Sequence, residues 1–152
     1  MNMFLTILAS ITFSLFNLVD LINHCNSVSA AKCGMHLIYS TEEQDEEEPG
    51  LTYITTMYGN DDISFRLQLD SSTQAFLYFN TEDKAMDWMK SVADSDPFVF
   101  EGKTFYVHRK DGDLCLYLET PWGDDGGFET RYVIYPPQFE EDKYRLYIDV
   151  YC

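Results

Sequence analysis

The sequence predicts an α+β fold: a mainly antiparallel β-sheet, as a sandwich or a strongly curved sheet, with one helix at about 81–94 inserted between strands and an N-terminal apolar helical segment in front. Three observations predict it. From residue 51 onward, short runs of alternating apolar and polar residues recur, punctuated by Gly, Asp, Asn and Ser. Within that region only the stretch after Thr81 combines helical periodicity with a capping residue. The first 31 residues differ in kind: they hold no Lys or Arg, a single acid at Asp20, and an uncharged run from Met3 to Val19.

That opening run reads first as a secretory signal. The apolar stretch is the h-region, residues 23–30 the polar region, and Val28-Ser29-Ala30 or Ser29-Ala30-Ala31 the small residues at a cleavage position, although no basic side chain precedes the run. Two other readings stand beside it. A membrane anchor would use 17 uncharged residues, the short end of what crosses a hydrocarbon core, with no basic cluster to orient it. An amphipathic helix would place Asn2, Thr6, Ser10, Asn17, Asp20 and His24 along one face and Leu5, Ile7, Leu8, Ile11, Leu15, Leu18, Val19 and Ile22 over most of the rest, with Phe13 intruding on the polar stripe. The expectation is an export segment over residues 1–30 and a single globular β-rich domain over residues 31–152, secreted or membrane-associated. The alternative is a cytoplasmic protein.

Residues 35–40 predict a short strand that runs into an acidic block, Glu42, Glu43, Asp45, Glu46, Glu47 and Glu48, closed by Pro49-Gly50. Like charges at that density predict a solvated loop. Residues 51–58, 63–69 and 74–80 predict strands separated by polar turns. Phe65, Leu67 and Leu69 alternate with Arg66, Gln68 and Asp70, as in a sheet with one wet face. Thr81 is a suitable N-cap, and Glu82 and Asp83 follow in the first turn, where the helix dipole favours acids. Ala85, Met86, Trp88, Met89, Val92 and Ala93 form the apolar face of that helix, which ends before Pro97. Further strands are predicted at residues 97–101, 103–109, 113–119, 128–135 and 143–151, with Glu101-Gly102 and Asp111-Gly112 as tight hairpin turns.

One local resemblance is present. The segment from Phe65 to Val92, FRLQLDSSTQAFLYFNTEDKAMDWMKSV, resembles the last two strands and closing helix of pleckstrin-homology domains, which end with an aromatic-rich strand, an acidic helix start and a tryptophan. It covers less than a fifth of the chain. Too few strands precede it, five follow it, and a basic lipid-binding loop is lacking, so neither that fold nor phosphoinositide binding is carried over.

Charge narrows the function classes. Leaving out Asp20, the one acid before Lys32, residues 32–152 hold 25 acids against 10 bases. Such a field repels phosphate backbones and anionic headgroups, so direct nucleic-acid binding is not expected, and membrane contact only through an uncleaved N-terminal segment. A protein partner with a basic surface is favoured. Cleavage near Ala30 would leave Cys33, Cys115 and Cys152 as disulfide candidates, and an odd count points to a disulfide-linked dimer or a link to a partner.

Enzyme signatures are missing: there is no Gly-rich phosphate loop, no Gly-x-Ser-x-Gly elbow and no His-Glu-x-x-His. His24-Cys25 with Cys33-x-x-His36 has workable zinc spacing, and Asp111, Asp113, Asp124 and Asp125 offer clustered oxygens without an EF-hand pattern. His108 lies in a predicted strand and would need a carboxylate neighbour to act as an acid or base. No catalytic residue, metal or cofactor is assigned.

Aromatic phase is more informative. In the last strand Tyr147 and Tyr151 point away from Leu146, Ile148 and Val150, Tyr106 and Tyr117 are likewise out of phase with their strands' aliphatic residues, and Tyr135 is a further candidate for the same face. The expected function is therefore non-enzymatic protein binding by a small acidic exported protein. Its contact surfaces would be the acidic loop and a face carrying Tyr106, Tyr117, Tyr147 and Tyr151. The alternatives are an intracellular acidic inhibitor that mimics nucleic-acid charge on a basic protein, and a hydrolase using His108 with the clustered aspartates.

Overall fold

The structure, a computed structural model, describes residues 13–94, 96–110, 115–122, 127–137 and 144–151. Ser14 starts helix α1 (Leu15–His24) with a reciprocal cap: its Oγ accepts from the Asn17 N–H at 3.2 Å, and Asn17 Oδ1 accepts from the Ser14 N–H at 2.8 Å. Leu18, Val19 and Leu21 are fully enclosed. Cys25 ends the helix with φ of 43°, in the left-handed region. Asn26 then caps a short second helix, α2 (Ser27–Lys32), by accepting from the Ser29 N–H.

The expected N-terminal apolar helical segment is thus not found as such. Residues 1–12 lie outside the described residues, and among the described residues no helix is long and apolar enough to cross a membrane. What is described is an amphipathic helix whose apolar side joins the core. Asn17 closes the cap with Ser14 and Asn23 donates to the Tyr132 hydroxyl, so the polar side of the helix is tied to its own start and to the sheet while its apolar side packs inward.

Four strands follow, β1 (His36–Gln44), β2 (Thr52–Gly59), β3 (Ile63–Leu69) and β4 (Thr73–Phe79). Helix α3 (Glu82–Ala93) links them to β5 (Phe98–Phe100), β6 (Lys103–Lys110), β7 (Cys115–Trp122), β8 (Gly127–Tyr135) and β9 (Arg145–Tyr151). All nine form one sheet in the order β1-β2-β3-β4-β9-β8-β7-β6-β5, and neighbours pair antiparallel. Two meanders are therefore joined edge to edge where the last strand slots between β4 and β8. The fold is mainly β with a helix between strands, in one sheet rather than the two layers of a sandwich.

Alternation sets the inner face. Phe65, Leu77, Leu116, Leu118, Ile134, Leu146 and Ile148 are essentially unexposed and form one cluster with Leu18, Leu21 and Val92. Burying each such side chain stabilises the fold by roughly 1.5–3 kcal/mol. The sheet must also curl. Nine strands at about 4.8 Å spacing would extend nearly 40 Å if flat. Yet Phe16 of α1 meets Phe100 of β5 edge-on at 5.1 Å, while at the other end of the same helix Cys25 packs against the core and lies close enough to Tyr58 of β2 to add to the rise in pKa that burial gives that phenol. A ten-residue helix is only about 15 Å long, so the sheet wraps around α1.

Helix α3 follows its sequence signals. Thr81 Oγ1 accepts from the Lys84 N–H, and Ala85, Trp88, Met89 and Val92 are buried, whereas Met86 sits exposed at the rim. The Trp88 ring packs against Phe13 and Phe79, and its Nε1–H donates to the Phe13 carbonyl at 2.6 Å. The acidic block is partly corrected. Strand β1 continues to Gln44, so Glu42 and Glu43 are strand residues paired with Ile54 and Tyr53, and only Asp45, Glu46, Glu47 and Glu48 lie in the hairpin loop. Cross-strand pairing to a β-branched and aromatic partner strand overrides the charge repulsion that predicts a loop.

Candidate functional site

Helices α1, α2 and α3 cover the inner face of the sheet, and the register defines what occupies the other face. Residues directly opposite in antiparallel neighbours point the same way. One row runs Tyr39, Met57, Arg66, Phe76, Tyr147, Tyr135 across β1, β2, β3, β4, β9 and β8. The next runs Gln74, Asp149, Val133, Tyr117, His108 across β4, β9, β8, β7 and β6. A third runs Tyr151, Arg131, Glu119, Tyr106. All four tyrosines singled out in the sequence share this outer face, and Tyr135 joins them. Among the described residues no second β-layer covers it. Tyr106 and Tyr151 are 47% and 43% exposed, while Tyr117 and Tyr147 are half-buried.

The face is held together by stacking and hydrogen bonds among its own side chains. Arg66 lies over Phe76 at 4.5 Å and near Tyr78 at 5.6 Å. Its Nε is buried with no hydrogen-bond partner. Arg131 lies 3.7 Å from the Phe128 ring centroid and between the Tyr117 and Tyr151 rings. Guanidinium over aromatic faces is a stable arrangement because the ring quadrupole attracts the cation. Arg131 Nε also donates to Glu119 at 2.9 Å, and the other Glu119 oxygen is 3.4 Å from His108 Nε2. The carboxylate neighbour that His108 would need is therefore present but already engaged by an arginine.

Tyr147 is the centre. Its hydroxyl donates to Asp149 Oδ1 at 2.6 Å and accepts from Gln74 Nε2, and its ring touches those of Phe76 and Tyr135. Burial and the Asp149 carboxylate push its pKa well above the usual tyrosine range. The folded value exceeds the unfolded one, so this contribution to stability is present below about pH 10 and is lost as pH rises through the folded value. In an alkaline titration by phenolate absorbance, one tyrosine is expected to ionise after the rest. Tyr147→Phe should remove that late component and flatten the fall in stability above about pH 10. A Tyr147→Phe curve that matches the parent would show that this network is not formed in solution.

The acidic hairpin lies four strands from β9, at the β1 edge. Thr41 and Glu43 share the outer face by register, opposite Thr55 and Tyr53. Asp45 is a structural anchor: Tyr53 Oη–H and the backbone N–H groups of Glu48 and Glu47 all donate to it and hold its carboxyl below the usual range. Glu42, Glu43, Glu46, Glu47 and Glu48 are exposed.

The remaining sequence candidates fall elsewhere. Cys33 is a free, buried thiol that donates to the Ser29 and Ala30 carbonyls, and burial raises its pKa, which disfavours the nucleophilic thiolate. Cys115 opens β7 opposite Lys110, and Cys152 lies outside the described residues, as do Asp111, Asp113, Asp124 and Asp125. The set His24, Cys25, Cys33 and His36 is not brought together: Cys33 faces the core, whereas His36 is exposed at the start of β1.

Sequence reading missed Arg66, Phe76, Phe128 and Arg131 as parts of the aromatic face. For Arg66, Phe76 and Arg131 the available signal was their phase opposite to Phe65, Leu77 and Tyr132; Phe128 shares the parity of Tyr132 and meets Arg131 only beyond the register shift at Thr120/Pro121. It also missed a second grouping, on the inner side, of Asp20, His24 and Glu101. No family model matches the chain, and neither a curated protein nor a solved structure matches it.

Proposed function

We propose that this chain is a non-enzymatic protein-binding module whose outer sheet face takes a protein partner. The acidic β1–β2 hairpin lies at the rim of that contact, against basic groups of the partner. The observation that supports it is a sheet face, uncovered among the described residues, built from Tyr106, Tyr117, Tyr135, Tyr147 and Tyr151 with Arg66 and Arg131 stacked among them. Tyr and Arg are the residue types that dominate binding hot spots. Arg131 against Tyr117 and Tyr151, and Tyr135 against Tyr147, hold these four tyrosines in place before contact, so little of their side-chain entropy is lost on binding. Strands β4, β9, β8, β7 and β6 at about 4.8 Å spacing span roughly 20 Å, within the footprint of a standard interface of about 800 Å² per partner.

The test places a photo-crosslinking side chain at Tyr106 or Tyr151 in cells that make the protein, with the same side chain at Asp87 on α3 as control. One protein species crosslinked from both tyrosine positions and not from Asp87 is expected. Against that species once purified, Tyr106→Ala with Tyr151→Ala should weaken binding by tenfold or more, from about 1 kcal/mol or more per hot-spot tyrosine. Unchanged affinity in this pair would sink the aromatic half of the reading. If binding instead fell only with Glu→Gln changes in the hairpin and with added salt, charge mimicry of a nucleic acid would replace it.

A further inference from the structure

We propose that Asp20, His24 and Glu101 form a binding site for a divalent first-row transition-metal ion such as Zn²⁺ or Co²⁺. Asp20 and His24 are four residues apart in α1 and so lie on one face, with His24 Nε2 3.8 Å from Asp20 Oδ1. Glu101 reaches them from the β5–β6 turn, its Oε1 2.5 Å from His24 Nε2. One ligand atom from each of the three lies within 4.8 Å of the others.

A second observation points to a cation. Asp20 is only 5% exposed, and its Oδ2 is buried without any hydrogen-bond partner. A buried carboxylate needs compensation. Within reach it meets His24 at 3.8 Å and the half-exposed Lys32 ammonium at 4.0 Å, both beyond hydrogen-bond distance. A divalent ion between Oδ1, Nε2 and Oε1 would supply the missing charge at full contact and leave Lys32 beside Oδ2.

The donor set selects the class of ion. One imidazole with two carboxylates suits Zn²⁺, Co²⁺ or Mn²⁺, whereas Ca²⁺ and Mg²⁺ prefer all-oxygen sets. Metal–ligand bonds of about 2.0–2.2 Å put neighbouring donors roughly 3–3.6 Å apart. Asp20 and His24 nearly meet that spacing already. His24 and Glu101 must separate by about 1 Å, which their exposures of 41% and 57% permit without disturbing the core. The ion takes the place of the hydrogen bond between these two side chains, with Nε2 as the ligand atom and the imidazole N–H carried on Nδ1. Glu101 also lines a cleft of about 80 Å³ with Asn23, Lys103, Thr130 and Tyr132, which gives water access to the open coordination positions.

The test is calorimetric titration of the untagged full chain with Zn²⁺ alone, paired with the visible spectrum of added Co²⁺. One equivalent of Zn²⁺ is expected to bind, and His24→Gln and Glu101→Gln should each weaken it tenfold or more. These two side chains are exposed, so the variants fold even where Asp20→Asn does not. Lys32→Gln should leave binding intact or tighten it. The proposal is overturned by no binding at millimolar Zn²⁺, by equal affinity in both variants, by Ca²⁺ binding as tightly as Zn²⁺, or by a thiolate charge-transfer band that assigns the ion to Cys25 or Cys33.

Discussion

A chain beginning at Ala31 is expected to lose cooperative unfolding. Removing residues 1–30 takes Leu15, Leu18, Val19, Leu21, Ile22 and Ala30 out of the single core cluster and uncovers the inner face of the sheet. At roughly 1.5–3 kcal/mol per large apolar side chain, the loss reaches the whole net stability of a small domain, about 5–15 kcal/mol. Specific polar contacts go with it. Asn23 Nδ2 donates to the Tyr132 hydroxyl at 2.9 Å, and Trp88 Nε1 donates to the Phe13 carbonyl. The truncated chain should show weak near-ultraviolet circular dichroism, a broad denaturant transition and binding of an apolar dye, as expected when specific packing is lost but the chain stays compact. A sharp transition with a native-like spectrum would instead show that residues 31–152 stand alone, and would support cleavage near Ala30 on export. The intact mass of the protein from its own host reads the same question directly.

The second large effect is expected at Trp88. Its side chain ties three elements together, α3 from which it projects, Phe79 of β4, and Phe13 just ahead of α1. Trp88→Ala should destabilise the protein by about 3–5 kcal/mol. Trp88→Phe keeps most of the ring contact but leaves the Phe13 carbonyl without its donor, and should cost about 1–3 kcal/mol. Chemical denaturation of the two variants separates packing from the hydrogen bond. A Trp88→Ala cost below about 1 kcal/mol, far under the range for a buried tryptophan, would mean that α3 does not anchor the N-terminal helix.

Much of the architecture was legible because it is encoded at short range. The strand period of two is visible in Phe65, Leu67 and Leu69 against Arg66 and Gln68, and in Leu146 and Ile148 against Tyr147 and Asp149. It correctly sorted the four tyrosines to the face opposite the core. Helix α3 was legible from Thr81, Glu82 and Asp83 for the same reason, since a cap acts within one turn. The acidic block was half misread because charge repulsion is a local rule and pairing with β2 is not. The apolar opening was read first by composition. Its role in the core rests on partners far along the chain, Tyr132 for Asn23 and Trp88 for Phe13.

The sequence by itself determined the facing of the residues in the regularly alternating strands, the position of the inserted helix and the acidic, aromatic character of the surface. These follow from periodicity, capping and composition, each a property of neighbours in the chain. Only the tertiary structure decided that β9 fills the gap between β4 and β8, that one sheet curls around α1, and that Glu101 meets His24. The pairing of β9 with β4 and the meeting of Glu101 with His24 join residues 67 to 77 positions apart, and strand order and helix docking are settled by which apolar faces can be buried together rather than by any local preference.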